Sequence, residues 1–182
     1  MKYEPSDILE AAVRLINRDG VGVSMAKVAE EAGVSNGTLF HYFGTKQDLL
    51  DQLYEWLKAD LIAAIGEVPD DLTPTEQLRT MWMRWIDWVR RYPSRHRVSQ
   101  LLRGAGIVSP AAVERGEGMF ARFHEIIAEA QATGALSDLP LAYLCESIMA
   151  QLEVAARSEL TEQQCSQAFD LAWSSIRPAT AN

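Results

Sequence analysis

The sequence is poor in what a catalytic or metal-binding protein needs. It has three histidines, His41, His96 and His124, and no HExxH, GxSxG or phosphate-loop pattern. The supply of nucleophile, base and orienting acid is too thin for a catalytic constellation, so the chain is read as not an enzyme and as needing no cofactor or metal. Its two cysteines, Cys145 and Cys165, form no CxxC pair, which excludes a disulfide framework and a structural zinc site and leaves two buried thiols. No apolar run approaches the roughly 18 residues of a membrane span, and the first seven residues have no apolar stretch behind them. The expectation is a cytoplasmic, unprocessed chain with no membrane partner. Internal repeats and low-complexity tracts are also missing, which excludes solenoid and disordered architectures.

What is present is the balance of an ordinary globule: 182 residues, 48% hydrophobic and 23% charged. That length suits one medium domain, or a small domain joined to a larger one. The formal net charge is -8, from 17 basic and 25 acidic side chains, and each side of residue 55 contributes -4. Such a chain does not coat nucleic acid nonspecifically, although a small focused contact surface stays open. One local excess exists, because Arg79, Arg84, Arg90, Arg91, Arg95, Arg97 and Arg103 are interrupted by Asp87 alone among the acids. It is either a salt-bridged surface balancing the acidic helices or a receptor for an anion or flanking DNA. His96, between two of these arginines, is expected at the surface.

Apolar spacing predicts an all-α chain of nine helices. A first helix starts at Ser6 or Asp7 and stops at Gly20; a second opens at Ser24 and ends at Gly33; a third opens at Ser35 and ends near Phe43. Thr45 and Asp48 resemble a capping box at the head of a long helix over 46–65. Further helices are expected over 75–91, 94–103, 110–131, 139–159 and 161–176, the short gap between the last two implying antiparallel neighbours. The organisation read from this pattern is a three-helix domain over 1–47 and a domain of about six helices over 48–182.

The informative stretch is 25–44. Two helices of under three turns meet at Gly33, a residue that tolerates positive φ, with the small Ala29 at their crossing and Val28, Ala32, Val34 and Leu39 placed to lock them together. The spacing fits a helix-turn-helix, with Ser35, Asn36, Gly37, Thr38, His41 and Tyr42 toward the exposed side. A solvated helical hairpin has the same spacing.

The residues Ile8 to Leu50 resemble the TetR family of transcriptional regulators. The resemblance is carried by Ile8-Leu9-Glu10-Ala11-Ala12, by Gly20, by Val28-Ala29-Glu30-Glu31-Ala32-Gly33-Val34-Ser35, and by Gly37-Thr38-Leu39-Phe40-His41-Tyr42-Phe43-Gly44-Thr45-Lys46. It covers about a quarter of the chain tightly, and the later helices match that family only in number and order. By position it implies that Ser35, Asn36, Gly37, Thr38 and His41 face the major groove, that Tyr42 and Lys46 hold phosphates, and that Ser24 and Lys27 touch phosphate from the second helix. Lys46 also has its own argument, since a cation in the first turn of a helix joins free N–H groups in receiving a phosphate. Phe40 departs from the family, whose members often have Tyr there; this removes a hydroxyl contact or leaves packing as its role.

One such domain contacts one half-site, so two sites a helical turn apart, about 34–36 Å, call for a homodimer on a palindromic double-stranded DNA operator. Ile148, Leu152 and Ala155 on one C-terminal helix and Phe169, Trp173 and Ile176 on the next form apolar stripes suited to a four-helix interface, or to this chain's own core. Trp82, Trp85, Trp88, Phe120 and Phe123, with several methionines, supply a core or the wall of an apolar pocket. The stretches 38–43, 53–61 and 93–97 look like the family's multidrug-efflux-linked repressors. That likeness makes Tyr54 and Trp82 stacking candidates for a small apolar or aromatic effector, with Trp85, Glu146 and Met149 behind them; Glu146 reads equally as a solvated carboxylate. The function implied is a ligand-responsive repressor released from its operator. A dimeric helical adaptor that never meets DNA is the alternative, supported by the net acidity.

Overall fold

The protein is described here by a computed structural model covering residues 4–133 and 139–174. The described residues form ten helices and no strand, in agreement with the all-α expectation. No helix among them is long and apolar enough to cross a membrane.

Helix α1 (Pro5–Asp19) buries Ile8, Leu9, Ala11, Ala12, Val13, Leu15 and Ile16 on one side. It begins earlier than expected because Pro5 occupies the first helical position, where its fixed φ suits the helix and its missing N–H leaves nothing unsatisfied. The Asp7 carboxylate accepts a hydrogen bond from the Glu4 N–H at 3.1 Å. Helices α2 (Met25–Ala32), α3 (Asn36–Tyr42) and α4 (Lys46–Ile65) follow as predicted, and Thr45 Oγ1 accepts from the Asp48 N–H at the head of α4. Next come α5 (Pro74–Arg91) and α6 (Pro93–Gly104). The single helix expected over 110–131 is instead α7 (Pro110–Gly118) and α8 (Ala121–Thr133). Gly116 and Gly118 lower the helical propensity just before the break. The chain closes with α9 (Leu141–Arg157) and α10 (Glu162–Ser174).

Two compact units result, one made of 1–61 with 92–119, the other of 62–91 with 120–182. Helix α4 runs through the boundary, with its last turn in the second unit. Packing therefore divides the chain differently from the 1–47 and 48–182 organisation, which stands as a reading of function. In the first unit, Ile8, Ile16, Val28, Leu39, Phe43, Leu53, Tyr54 and Leu57 share a core with Val98 and Leu102 of α6 and with Val108 and Ala112. Asp51 draws the α6–α7 connection onto α4: its carboxylate accepts from the Ser109 N–H at 2.9 Å and from Gln47 Nε2 at 2.8 Å. Burial works against this carboxylate, but the bonds from Ser109 and Gln47 prevail and hold its pKa below the usual value.

In the second unit α5 packs on α8, α9 and α10. The concentrated aromatics are its core. Trp82 meets Phe169 edge-on at 5.7 Å, Trp85 lies 5.3 Å from Phe120, and Phe169 stacks on Trp173 at 6.2 Å. Cys145 and Cys165 are buried free thiols.

The arginine-rich segment is largely engaged within the chain. Arg79 donates to Ser166 Oγ and pairs with Asp170; Arg84 donates to the Glu67 carbonyl; Arg90 donates to the Leu160 carbonyl; Arg103 pairs with Glu117. Arg95 pairs with Glu10 of α1 and, at 2.9 Å, with Asp60 of α4. Its guanidinium also lies over the rings of Trp56 (4.8 Å) and Tyr92 (4.5 Å). His96 is buried rather than exposed, because α6 turns that side onto the first unit.

Candidate nucleic-acid interface

The turn between α2 and α3 is built as its residues demand. Gly33 sits at φ 69°, ψ 27°, in the left-handed region; its N–H bonds to the Glu30 carbonyl, and the Val34 N–H bonds to that of Ala29. This paired closure ends α2 in one residue and lets α3 start immediately. Two hydroxyls expected to touch DNA are helix caps. Ser24 Oγ accepts from the Lys27 N–H and Ser35 Oγ from the Thr38 N–H, and Thr38 Oγ1 lies 2.9 Å from Ser35 Oγ. Their acceptor capacity starts the helices; the Ser24 hydroxyl proton stays available to a phosphate, while Ser35 and Thr38 share one hydroxyl proton between them.

Helix α3 is held by Leu39 and by Phe43 just beyond it, both fully buried. With these on the inner side, Asn36, Gly37, Phe40 and His41 are exposed on the outer one. Thr38 and Tyr42 flank this face, half-buried, and Tyr42 packs on the core and edge-on against His41 at 5.5 Å. Lys27 on α2 and Lys46 in the first turn of α4 are exposed. Helix α3 carries no acid, and Glu31 on α2 is matched by Arg14 (3.2 Å) and Arg18 (3.3 Å). A net-acidic unit thus keeps one short helix face without an acid, flanked in the chain by the exposed Lys27 and Lys46, which suits contact with phosphates and base edges.

Phe40, which the sequence reading left as a lost hydroxyl contact or a packing residue, is 49% exposed on this face. Its spacing was the available signal: it falls four residues after Asn36 and three after Gly37, away from the Leu39 and Phe43 side.

The remaining expected sites fall elsewhere. Tyr54 is fully buried in the first unit, against Gly116 and with the Lys58 ammonium 5.2 Å from its ring. Its hydroxyl makes no hydrogen bond of good geometry; burial, and then the Glu117 charge, push its pKa up. Trp82 and Trp85 are buried in the second unit with unpartnered indole N–H groups. Met149 is half-buried and Glu146 exposed. Ile148, Leu152, Ala155, Phe169 and Trp173 are all buried within the chain's own second unit, the second of the two readings their stripes allowed. Each helix of the α9–α10 hairpin turns its most apolar stripe onto its own core. Exposed on these helices are Tyr143 and Val154, at 59%, and Leu171, at 71%. Ile176 lies outside the described residues. Among the described residues no group of three or more His, Cys, Asp or Glu is placed to hold a metal ion.

The geometry defines an all-helical protein with an N-terminal helix-turn-helix. Residues 8–53 match the sequence profile of the bacterial regulatory proteins of the tetR family. An uncharacterised HTH-type transcriptional regulator of Haemophilus influenzae is 38% identical over 77 residues, 41% of each chain. The HTH-type transcriptional regulator BetI of Brucella anthropi is 39% identical over 77 residues, covering 40% of this chain and 38% of that one. The match thus spans about two fifths of the length of these curated relatives. A crystal structure of a tetR-family transcription regulator from Shewanella aligns over 98% of this chain and 100% of its own, with 26% identity and a TM-score of 0.87. The chain is thus similar to the tetR family, in sequence over residues 8–53 and in fold over nearly its whole length.

Proposed function

We propose that the protein is a homodimeric, DNA-binding transcriptional regulator that represses from a palindromic operator and leaves it when a small molecule binds. The observation that carries this reading is the outer face of α3, with Asn36, Gly37 and His41 exposed, Lys27 and Lys46 exposed on the helices that flank it in the chain, and no acid on α3 itself. Ser35 and Thr38 complete the groove side, and Tyr42, Ser24 and Lys46 complete the phosphate side. The domain over 1–47 reads DNA and the rest responds and pairs.

The pairing surface this reading needs is the outer side of α9 and α10, where Tyr143, Val154 and Leu171 expose apolar area that the chain itself does not cover. The effector reading attaches to the second unit. Trp82 and Trp85 are three residues apart on α5, with aromatic neighbours and two unpartnered indole donors. Donors without a buried carboxylate favour an aromatic or apolar compound bearing an acceptor over an organic cation. The continuity of α4 through both units supports its role as the lever between effector and DNA. The efflux-linked subtype rests on the sequence likeness alone.

Selection of random duplex DNA by the purified protein, repeated with Lys46→Ala and across a salt series, tests this reading. A palindromic site is expected, with affinity falling steeply in salt and with the log–log salt slope reduced by about 1 per half-site in the variant. A folded protein that enriches no duplex refutes the reading and favours the helical adaptor.

A further inference from the structure

We propose that Phe40 is a specificity-determining residue that covers the 5-methyl group of a thymine in each half-site. The inference rests on the reading that α3 enters the major groove, and adds what that face distinguishes there. Phe40 is the sole large apolar side chain exposed among the described residues of 1–61. It shares its helix face with Asn36, Gly37 and His41, while Leu39 and Phe43 of the same segment are fully buried. About half of this ring's surface is left to solvent although the inner side of α3 is already filled by Leu39 and Phe43, and packing alone does not account for that exposed half.

A phenyl ring neither donates nor accepts a conventional hydrogen bond, so its contribution at a nucleic-acid surface is to exclude water from an apolar partner. Phosphate oxygens and most base-edge atoms are polar, and covering them with a ring removes their water without replacing its hydrogen bonds. The thymine methyl is the apolar group that the major-groove edge offers. Gly37, one turn before Phe40 and without a side chain, leaves the helix backbone free to come close enough for the ring to reach a base edge. The surroundings select a nucleic acid over an apolar protein partner. Lys27 on α2 and Lys46 on α4, the helices that flank α3 in the chain, are exposed, α3 itself has no acid, and Glu31 is paired with Arg14 and Arg18.

The test uses the full-length protein and the duplex recovered by selection. Each thymine of a half-site is replaced in turn by deoxyuridine, which deletes the methyl and keeps the hydrogen-bonding edge. With the wild-type chain, one position is expected to lose about fourfold in affinity per half-site, corresponding to the removal of one buried methyl-sized group. Replacement in both half-sites gives about fifteenfold. Phe40→Ala is expected to bind the thymine duplex more weakly and to show no further loss at that position, whereas Phe40→Tyr, which keeps the ring, retains the sensitivity. Thermal melting of the variants confirms that each is folded. A recovered site at which no thymine shows the effect, or a Phe40→Ala protein with unchanged affinity or with the same methyl sensitivity as wild type, overturns the assignment and leaves the DNA-binding reading intact. Recovery of no site at all overturns both.

Discussion

Replacing Arg95 with alanine tests whether the first unit is held by a buried charge clamp or by apolar packing alone. The guanidinium reaches from α6 to Glu10 of α1 and Asp60 of α4, and lies over the Trp56 and Tyr92 rings. Burial opposes its charge, yet Asp60 and Glu10 prevail and raise its pKa, so it stays cationic wherever the protein is folded. Removing one partner of a fully buried pair costs about 3–5 kcal/mol, because the other charge is stranded. Here the carboxylate side chains keep 33% (Glu10) and 26% (Asp60) of their exposure and recover part of their hydration. That lowers the charge contribution to about 1–2 kcal/mol, and the loss of the ring contacts adds about 0.5–1 kcal/mol. The expected destabilisation is therefore about 1.5–3 kcal/mol.

The assay is urea unfolding followed by fluorescence, at one fixed protein concentration because subunit pairing contributes to stability. Trp56 is the one tryptophan of the first unit and the other four lie in the second, so the fluorescence follows the unfolding of both units together. Adding Glu10→Gln and Asp60→Asn to Arg95→Ala removes the stranded charges and is expected to restore about half of the loss. A loss below about 0.5 kcal/mol for Arg95→Ala refutes the clamp. Full recovery with Arg95→Met refutes the electrostatic part, since Met keeps much of the packing and none of the charge.

Two further outcomes follow from the geometry. Gly116→Ala places a Cβ 2.7 Å from Tyr54 Cε1 and 3.2 Å from Lys58 Cγ, which is expected to cost about 1–3 kcal/mol in urea unfolding. Combining it with Tyr54→Leu, which removes the clashing edge, should give a loss smaller than the sum of the two single losses; strict additivity would show that the α4–α7 crossing relaxes by another route. Asp51 has a depressed pKa in the folded chain, so its contribution is fully present above the ordinary unfolded value of about 4 and is lost as pH falls through the lower folded one. Stability measured from pH 6 down to pH 3 should fall more for the wild type than for Asp51→Asn, and parallel curves would remove Asp51 from the acid response.

The helices up to Ile65 and the turn at Gly33 were legible in the sequence because caps, glycines and 3.6-residue spacing are local signals. They act within a few residues and need no partner. The exposed polar positions of α3 were legible for the same reason, whereas for Phe40 the sequence left open a lost hydroxyl contact or a packing role, and the structure places it half exposed. Long-range arrangement was decided by the tertiary structure. Nothing local joins Glu10, Asp60 and Arg95, which meet because α6 packs on α1. Spacing likewise identified the apolar stripe of α9 and α10 without showing which surface it meets; the chain's own second unit takes Ile148, Leu152, Phe169 and Trp173, leaving Tyr143, Val154 and Leu171 outside. The break between α7 and α8 belongs with these, since two glycines lower helical propensity, but the close approach of Tyr54 is what requires a residue without a side chain at position 116. A sequence states which face of a helix is apolar, and only packing selects the neighbour that covers it.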